Sequence, residues 1–367
     1  MDQIDHIALT LLPNLGPTNC RRLLDRFPGR NIFDMTASEL AAIPGLRHST
    51  LQAIVGKTQH RRAEEILRQS EHYGIRCLFF TDKDFPHRLL RAETQDCPVL
   101  LYVLGSADFN PQRALAIVGT RKATHYGIDT TAQIVGGLKT ASATVVSGLA
   151  YGIDTAAHTA ALEQGLPTLA VLGHGLDTIY PPSNRNLAQR IVEQGGALVT
   201  EYPIGTAINP AYFPARNRII AALSDATLVV EAAVKGGALI TAAIAGGYQR
   251  EVFAIPGRLS DTYSAGTNHL IATCRALMVH NPDDICLQMN WPTVQPTPAS
   301  QANLFPVLSA EAKRICDLLR SEETMDLDEL VLRSGMGMSR IASLLFDLEM
   351  QGEIRALPGR RYQISHT

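Results

Sequence analysis

Short apolar runs recur through the middle of the chain: Ala114-Leu115-Ala116-Ile117-Val118, Thr144-Val145-Val146-Ser147, Leu169-Ala170-Val171-Leu172, Ala197-Leu198-Val199-Thr200, Thr227-Leu228-Val229-Val230 and Val252-Phe253-Ala254-Ile255. They are four or five residues long, rich in β-branched residues and separated by about 25 residues. Runs that are apolar at every position suit strands covered on both faces, and the spacing leaves room for one helix between strands. The pattern predicts an α/β fold: a Rossmann-like, doubly wound, mostly parallel sheet over residues 75–290. Such sheets bind ligands beyond the C-terminal ends of their strands.

The flanks follow other periods. Residues 1–70 look all-helical, with two similar turns. Leu12-Pro13-Asn14-Leu15-Gly16-Pro17 precedes the basic run Arg21-Arg22-Leu23-Leu24, and Ile43-Pro44-Gly45-Leu46 precedes Leu51-Gln52-Ala53-Ile54-Val55. Turns of this kind resemble helix-hairpin-helix (SAM-like) modules, whose amides at a helix N-terminus meet a DNA phosphate; the same residues also serve as plain helical caps. Basic residues here number 9 against 7 acids, a surplus too small to decide between the two. Residues 291–306 carry four prolines and no charge and read as a linker. Beyond it, residues 307–367 predict a winged helix. Its three helices begin at Ser309, near Leu327 and near Ser339, and its hairpin has a basic tip at Pro358-Gly359-Arg360. Its recognition helix offers only Arg340 to DNA, and the segment from 306 has 8 basic against 10 acidic residues, so protein docking is as open to it as DNA contact.

Composition narrows the classes. A net charge of −2 with 19% charged residues excludes binding by a bulk positive field, so any polyanion must be held by locally placed cations and amides. The six cysteines are scattered with no C-x-x-C pair, which points to reduced thiols and leaves no zinc ribbon or redox motif. The N-terminus lacks the regions of a signal peptide, and no run of about 18 apolar residues occurs, so a soluble cytoplasmic protein with no membrane segment is expected.

Small residues crowd the ends of successive strands. Gly119-Thr120-Arg121 follows the first run; Ser147, Gly148, Gly152 and Asp154 follow the second; Gly173 and Gly175 follow the third, with Asn184 further on. Arg216, Asn217 and Arg218 open a later helix, and Glu231, Lys235, Gly236, Gly237 and Thr241 follow the fifth run. Glycines let a ligand approach main-chain amides at helix N-termini, and arginines supply bidentate contacts to phosphate oxygens. Five such loops on one sheet edge predict a phosphate site, most simply for the backbone of single-stranded DNA. Several nucleotide machines are excluded. Leu51 stands where a Walker A loop ahead of Gly56-Lys57-Thr58 needs glycine, and Gly173-His174-Gly175 lacks a third dinucleotide glycine. Val145 and Leu149 flank Ser147 where a nucleophile elbow has glycines. Asp154 and His158, one helical turn apart, fit helix capping better than a metal, and Glu201 and Glu231 fit loop anchoring better than an acid–base pair. No catalytic residue, metal or cofactor is expected.

Val118-Gly119-Thr120-Arg121, Ser147-Gly148-Leu149-Ala150-x-Gly152-Ile153-Asp154, Ala170-Val171-Leu172-Gly173-x-Gly175-x-Asp177 and Phe213-Pro214-x-Arg216-Asn217-Arg218-Ile219-Ile220 resemble the DNA-processing protein A (DprA/Smf) family. Asp84-Phe85-Pro86-x-x-Leu89, Val229-Val230-Glu231-Ala232 and Ile255-Pro256-Gly257 agree. The resemblance implies a non-enzymatic recombination mediator. Such proteins bind single-stranded DNA, dimerise through the Rossmann-like domain and help load the RecA recombinase in natural transformation. It implies that Arg121 grips phosphate and that Arg216, Asn217 and Arg218 line the same pocket. Two departures stand out: Gly236-Gly237-Ala238 replaces the family's Ser-Gly-Ser, and Arg275-Ala276 replaces Gly-Ala. The main rival is a phosphoribohydrolase-like, nucleotide-binding enzyme on the same core, although no carboxylate follows Thr241 where its P-G-G-x-G-T-x-x-E loop has one.

Overall fold

The computed structural model describes residues 1–91, 97–293, 309–322, 324–350, 353–357 and 359–364, and the chain divides into two compact units, Met1–Thr293 and Val294–Thr367. The first holds one nine-stranded sheet. Its strands are β1 (Arg76–Phe79), β2 (Leu100–Gly105), β3 (Ala114–Val118), β4 (Thr144–Ser147), β5 (Thr168–Val171), β6 (Ala197–Thr200), β7 (Ala226–Val229), β8 (Glu251–Ala254) and β9 (Leu277–Met278). Their spatial order is β1-β2-β6-β5-β4-β3-β7-β8-β9. From β6 to β9 every neighbouring pair is parallel. The chain therefore winds outward from β3 through β4, β5 and β6, then returns beside β3 and winds the other way through β7, β8 and β9. This is the doubly wound sheet expected from the apolar runs, which form β3 to β8 within one residue of their expected limits.

Strand β3 shows why those runs are apolar throughout. Leu115 and Ile117 face the helices His125–Gly137 and Ile153–Glu163, whereas Ala116 and Val118 face Tyr212–Leu223 and Gly237–Gly247. All four side chains are buried. Strands β1, β2 and β9 lie outside the 25-residue rhythm. β2 pairs antiparallel with both β6 and β1, extending the sheet beyond its parallel part.

That extension carries the N-terminal helices. Residues 1–70, expected as a domain of their own, fall in the same compact unit as the sheet. Ile7, Leu9, Ile54 and Ile66 pack in one cluster with Phe79, Leu100, Tyr102 and Leu198, so the helices close the face of β1, β2 and β6. The N-terminal helix is set by a capping box in which Asp5 N donates to Asp2 Oδ1 at 2.8 Å.

The second unit has the winged-helix order: helix Ala310–Ser321, β10 (Met325–Asp326), helices Leu327–Ser334 and Met338–Met350, then β11 (Ile354–Leu357) and β12 (Arg361–Ile364) in a sheet of order β10-β12-β11. Ile315, Leu319, Leu330, Ile341 and Leu345 form its core. Arg340, the one cation of the recognition helix, donates to Glu311 Oε2 at 2.5 and 2.9 Å. The linker expected at 291–306 lies outside the described residues from 294 onward.

The shared core is open to test. Ile66→Ala, at a fully buried site, should cost about 2–5 kcal/mol. The chain's one tryptophan, Trp291, packs on the same face of the sheet toward its other edge, beside Phe253 and Ile285. Its fluorescence should therefore report a lower urea midpoint in the variant. An unshifted Trp291 transition would show that the N-terminal helices unfold on their own.

Candidate phosphate-binding cleft

Where the winding reverses, between β3 and β7, the loops at the C-terminal strand ends part and leave a cleft of about 460 Å³. Its lining includes Gly119, Thr120 and Arg121 after β3, Asp154 at the start of helix Ile153–Glu163, and Phe213, Arg216 and Asn217 of helix Tyr212–Leu223. Gly236, Gly237 and Thr241 line it from the β7 side.

The loops are held in register by close approach. Thr120 N donates to Glu231 O at 2.7 Å and Ile153 N to Thr120 O at 3.2 Å, tying the ends of β3, β4 and β7 together. Gly152 has φ +76°, and a Cβ there would lie 2.2 Å from Thr120 O, so this turn admits glycine alone. Beneath the loops sits Arg216, 3% exposed. Its Nη1 donates to Gly148 O at 2.6 Å and to Val171 O, bridging the ends of β4 and β5. Asp154, also buried, accepts from Gly148 N at 3.2 Å and Ala150 N at 3.3 Å.

Burial dominates the electrostatics of this pair. It lowers the pKa of Arg216 to about 10 against the favourable field of Asp154, and it raises that of Asp154 against the pull of Arg216 and the loop amides. Arg216 stays a cation at neutral pH. Arg121 acts on it in the same direction as burial, so two like charges converge on the cleft. An anion placed there relieves that repulsion. Arg121 is exposed, makes no ion pair among the described residues, and sits with Cζ 5.6 Å from the centroid of the Phe213 ring. Tyr180 also lines the cleft, its ring 5.5 Å from that of Phe213. Phe213 opens the Phe213-Pro214-x-Arg216 motif and Tyr180 precedes Pro181, and neither aromatic was among the expected site residues. The signal for them was an aromatic side chain beside an arginine loop.

Other expected residues build the site rather than face it. Ser147 Oγ donates to Ile117 O at 2.7 Å inside the sheet. Asn184 Nδ2 donates to Leu149 O and to Thr155 Oγ1, both at 2.9 Å, fixing the loop after β4. Gly148 abuts the Arg216 guanidinium, and Gly173 and Gly175 pack against Tyr212 and Pro203. Glu231 accepts from Thr124 N at 3.0 Å and Thr124 Oγ1 at 2.5 Å, anchoring the helix that begins there. Arg218 does not join Arg216 in the cleft. Two residues along a helix is about 200° of rotation, and Arg218 instead pairs with Glu201 at 2.6 Å. Glu201 and Glu231 are thus engaged separately and form no acid–base pair. Lys235 is exposed on the turn before Gly236, outside the lining. Among the described lining residues the one carboxylate is Asp154. His158 contacts Thr168 Oγ1 at 2.7 Å, and no group of metal-ligating side chains occurs among the described residues.

Fold and cleft together define a Rossmann-like protein with a glycine-lined, arginine-bearing cleft at its switch point, a helical module on its sheet and a winged helix after it. The comparisons make the class specific. Residues 76–290 match the profile of DNA recombination-mediator protein A, and residues 295–360 that of the DprA winged helix domain. The chain is 32% identical to Protein Smf of Synechocystis over 99% of this chain and 98% of that one. It is 41% identical to DNA processing protein DprA of Streptococcus pneumoniae, over 77% and 97% of the two chains. The X-ray structure of the Streptococcus pneumoniae protein superposes with a TM-score of 0.69 at 30% identity, covering 78% of this chain and 98% of that one. DNA processing protein A of Helicobacter pylori, solved for its single-stranded DNA binding mode, gives 0.54 at 30% identity over 60% and 99%. The chain belongs to the DNA recombination-mediator protein A (DprA/Smf) family. No helix among the described residues is long and apolar enough to cross a membrane.

Two outcomes follow from the buried groups. Arg216→Ala removes a guanidinium that bridges two loops and leaves Gly148 O, Val171 O and the Asp154 carboxylate without it. About 3–5 kcal/mol of stability should be lost, seen as a lower urea midpoint, before any binding is measured. Burial, with a smaller push from Arg216, lowers the His158 pKa from 6.5 to about 3. Below pH 6.5 the unfolded chain therefore takes up a proton that the folded one refuses, and stability falls as pH drops toward 3. The loss is at most about 1.4 kcal/mol per pH unit. His158→Gln should flatten the pH dependence of the urea midpoint between these limits; an unchanged slope would rule out this assignment.

Proposed function

We propose that the protein is a non-catalytic mediator that binds single-stranded DNA in the switch-point cleft, protects incoming DNA and helps load RecA during natural transformation. The observation that carries this reading is the lining. An unpaired arginine lies over an aromatic ring, glycine loops offer main-chain amides, and the one carboxylate is already held by loop amides. Phosphates would meet Arg121, the amides of Gly119 and Gly237, the hydroxyls of Thr120 and Thr241, and Asn217, with Gly236 leaving room for their approach and Lys235 at the rim. Bases would stack on Phe213 and Tyr180, where each aromatic contact is worth roughly 1–3 kcal/mol. Gly236-Gly237-Ala238 supplies amides but none of the hydroxyls of the family's Ser-Gly-Ser, so more of the grip falls on Arg121. Ser147, Gly148, Gly152, Asp154, Gly173, Gly175, Asn184, Arg216, Arg218 and Glu231 hold that surface in shape. The single-stranded DNA binding of the Helicobacter pylori relative supports the ligand.

We further propose a homodimer through the Rossmann-like domain. The sheet ends in β9, where Leu277 and Met278 are half-exposed, and Leu259, in the loop between β8 and helix Ala265–Ala272, is 94% exposed. The winged helix is read as a protein-docking module: its recognition helix carries Phe346 and Met350 on the surface while Arg340 is paired with Glu311.

Arg121→Ala should weaken binding of a single-stranded oligonucleotide. It should also flatten the plot of log K against log salt by about 0.7 for each phosphate it no longer neutralises, with little change in urea midpoint. Wild-type affinity across the salt titration would remove the cleft from consideration as the strand site.

A further inference from the structure

The two proline–glycine turns of the N-terminal helices come together. Asn14 of the first turn donates to Ser49 Oγ at 3.3 Å, Arg47 of the second donates to Asn14 Oδ1 at 3.1 Å, and Thr50 Oγ1 donates to Pro13 O at 2.8 Å. Between them lies a cleft of about 390 Å³, lined on one side by Asn19, Arg22 and Arg26 of helix Pro17–Arg26 and on the other by Arg47. Three guanidinium groups thus line one cavity, and among the described residues no carboxylate lines it. All three arginines are exposed, and none makes an ion pair among the described residues. A near-neutral chain that gathers three unpaired arginines around one acid-free cavity has built a local anion site.

The shape of the cluster selects among anions. Arg22 and Arg26 are one turn apart on the same helix face, about 5–6 Å from each other. A nucleic-acid strand presents a phosphate every 3.4 Å or so along its axis, so the pair addresses neighbouring phosphates of one strand rather than a single small anion. Among the described residues no aromatic side chain lines the cavity, in contrast to the cleft at β3 and β7, so nothing here stacks on an unpaired base. A surface that grips phosphates and ignores bases suits DNA whose bases are turned inward. We infer that the N-terminal turns form a second DNA site that binds the backbone of duplex DNA through Arg22, Arg26 and Arg47. This goes beyond the single-strand reading of the switch-point cleft and does not depend on it. With both sites occupied, one chain holds a duplex next to a single strand.

The test uses the full chain with a short blunt duplex and, separately, a single-stranded oligothymidine, each titrated by fluorescence anisotropy over a range of salt. In Arg22→Ala/Arg26→Ala, which leaves the Arg47–Asn14 bond intact, duplex affinity should drop. Its log–log salt slope should shrink by about 1.8, the value for two phosphates no longer neutralised. Single-strand binding should stay at the wild-type level, and Arg22→Lys/Arg26→Lys should keep most of the duplex slope. Arg121→Ala should give the opposite pattern, losing the single strand and keeping the duplex. The inference is overturned if the alanine pair binds duplex with wild-type affinity and slope, if the wild-type protein does not bind duplex at low salt, or if the pair weakens both DNAs equally. Failure of Arg121→Ala to affect the single strand would instead count against the cleft alone.

Discussion

A guanidinium sealed beneath loops that carry almost no side chains is the constraint on which this protein's binding edge depends. Arg216 bridges Gly148 O and Val171 O, so the ends of β4 and β5 are set by one side chain from a helix on the far side of the cleft. Removing an ion from water costs several kcal/mol, and only good acceptors and a counter-charge offset this. Asp154 supplies the counter-charge and, through the amides of Gly148 and Ala150, fixes the same loop from above. The loop after β4 is thereby determined from both sides, which is why glycine is tolerated so freely around it.

The same arrangement separates support from contact. A cation with its donors on carbonyls is poorly placed to grip a strand, whereas Arg121 is exposed, makes no ion pair among the described residues and rests against the Phe213 ring. The buried charge still contributes through its field, since the two arginines act on each other. The site thus combines a buried positive floor with an exposed positive rim.

The antiparallel strands β1 and β2 decide the rest of the architecture. They widen the sheet past β6, and the new face is closed by the N-terminal helices, so Met1–Thr293 is one compact unit. The basic turns of those helices are thereby part of the same unit as the cleft. In the winged helix the opposite happened to the charge: Arg340 is taken up by Glu311, and the recognition helix presents apolar side chains.

The doubly wound sheet was legible in the chain because strands buried on both faces must be apolar at every position, as β3 shows, and because one helix between strands sets the spacing. The winged helix was legible for similar reasons of period and turn. The glycine loops and the arginines beside them pointed to a phosphate site, and the family resemblance gave Arg121 the gripping role. Strands β1 and β2 are not marked by that spacing, since strands paired antiparallel obey no crossover rhythm, and β9, though parallel to β8, is only two residues long. The roles of the site residues were decided by tertiary structure. Arg216 and Arg218 are two positions apart and chemically identical, yet helical rotation sends one under the cleft and the other to Glu201. Glu231, Ser147 and Asn184 look like ligand contacts in a motif and prove to be loop anchors, because their partners lie 107, 30 and 35 residues away in the chain. Sequence by itself determined which residue types gather at the strand ends; only the packing of distant loops decided which of them face the cleft.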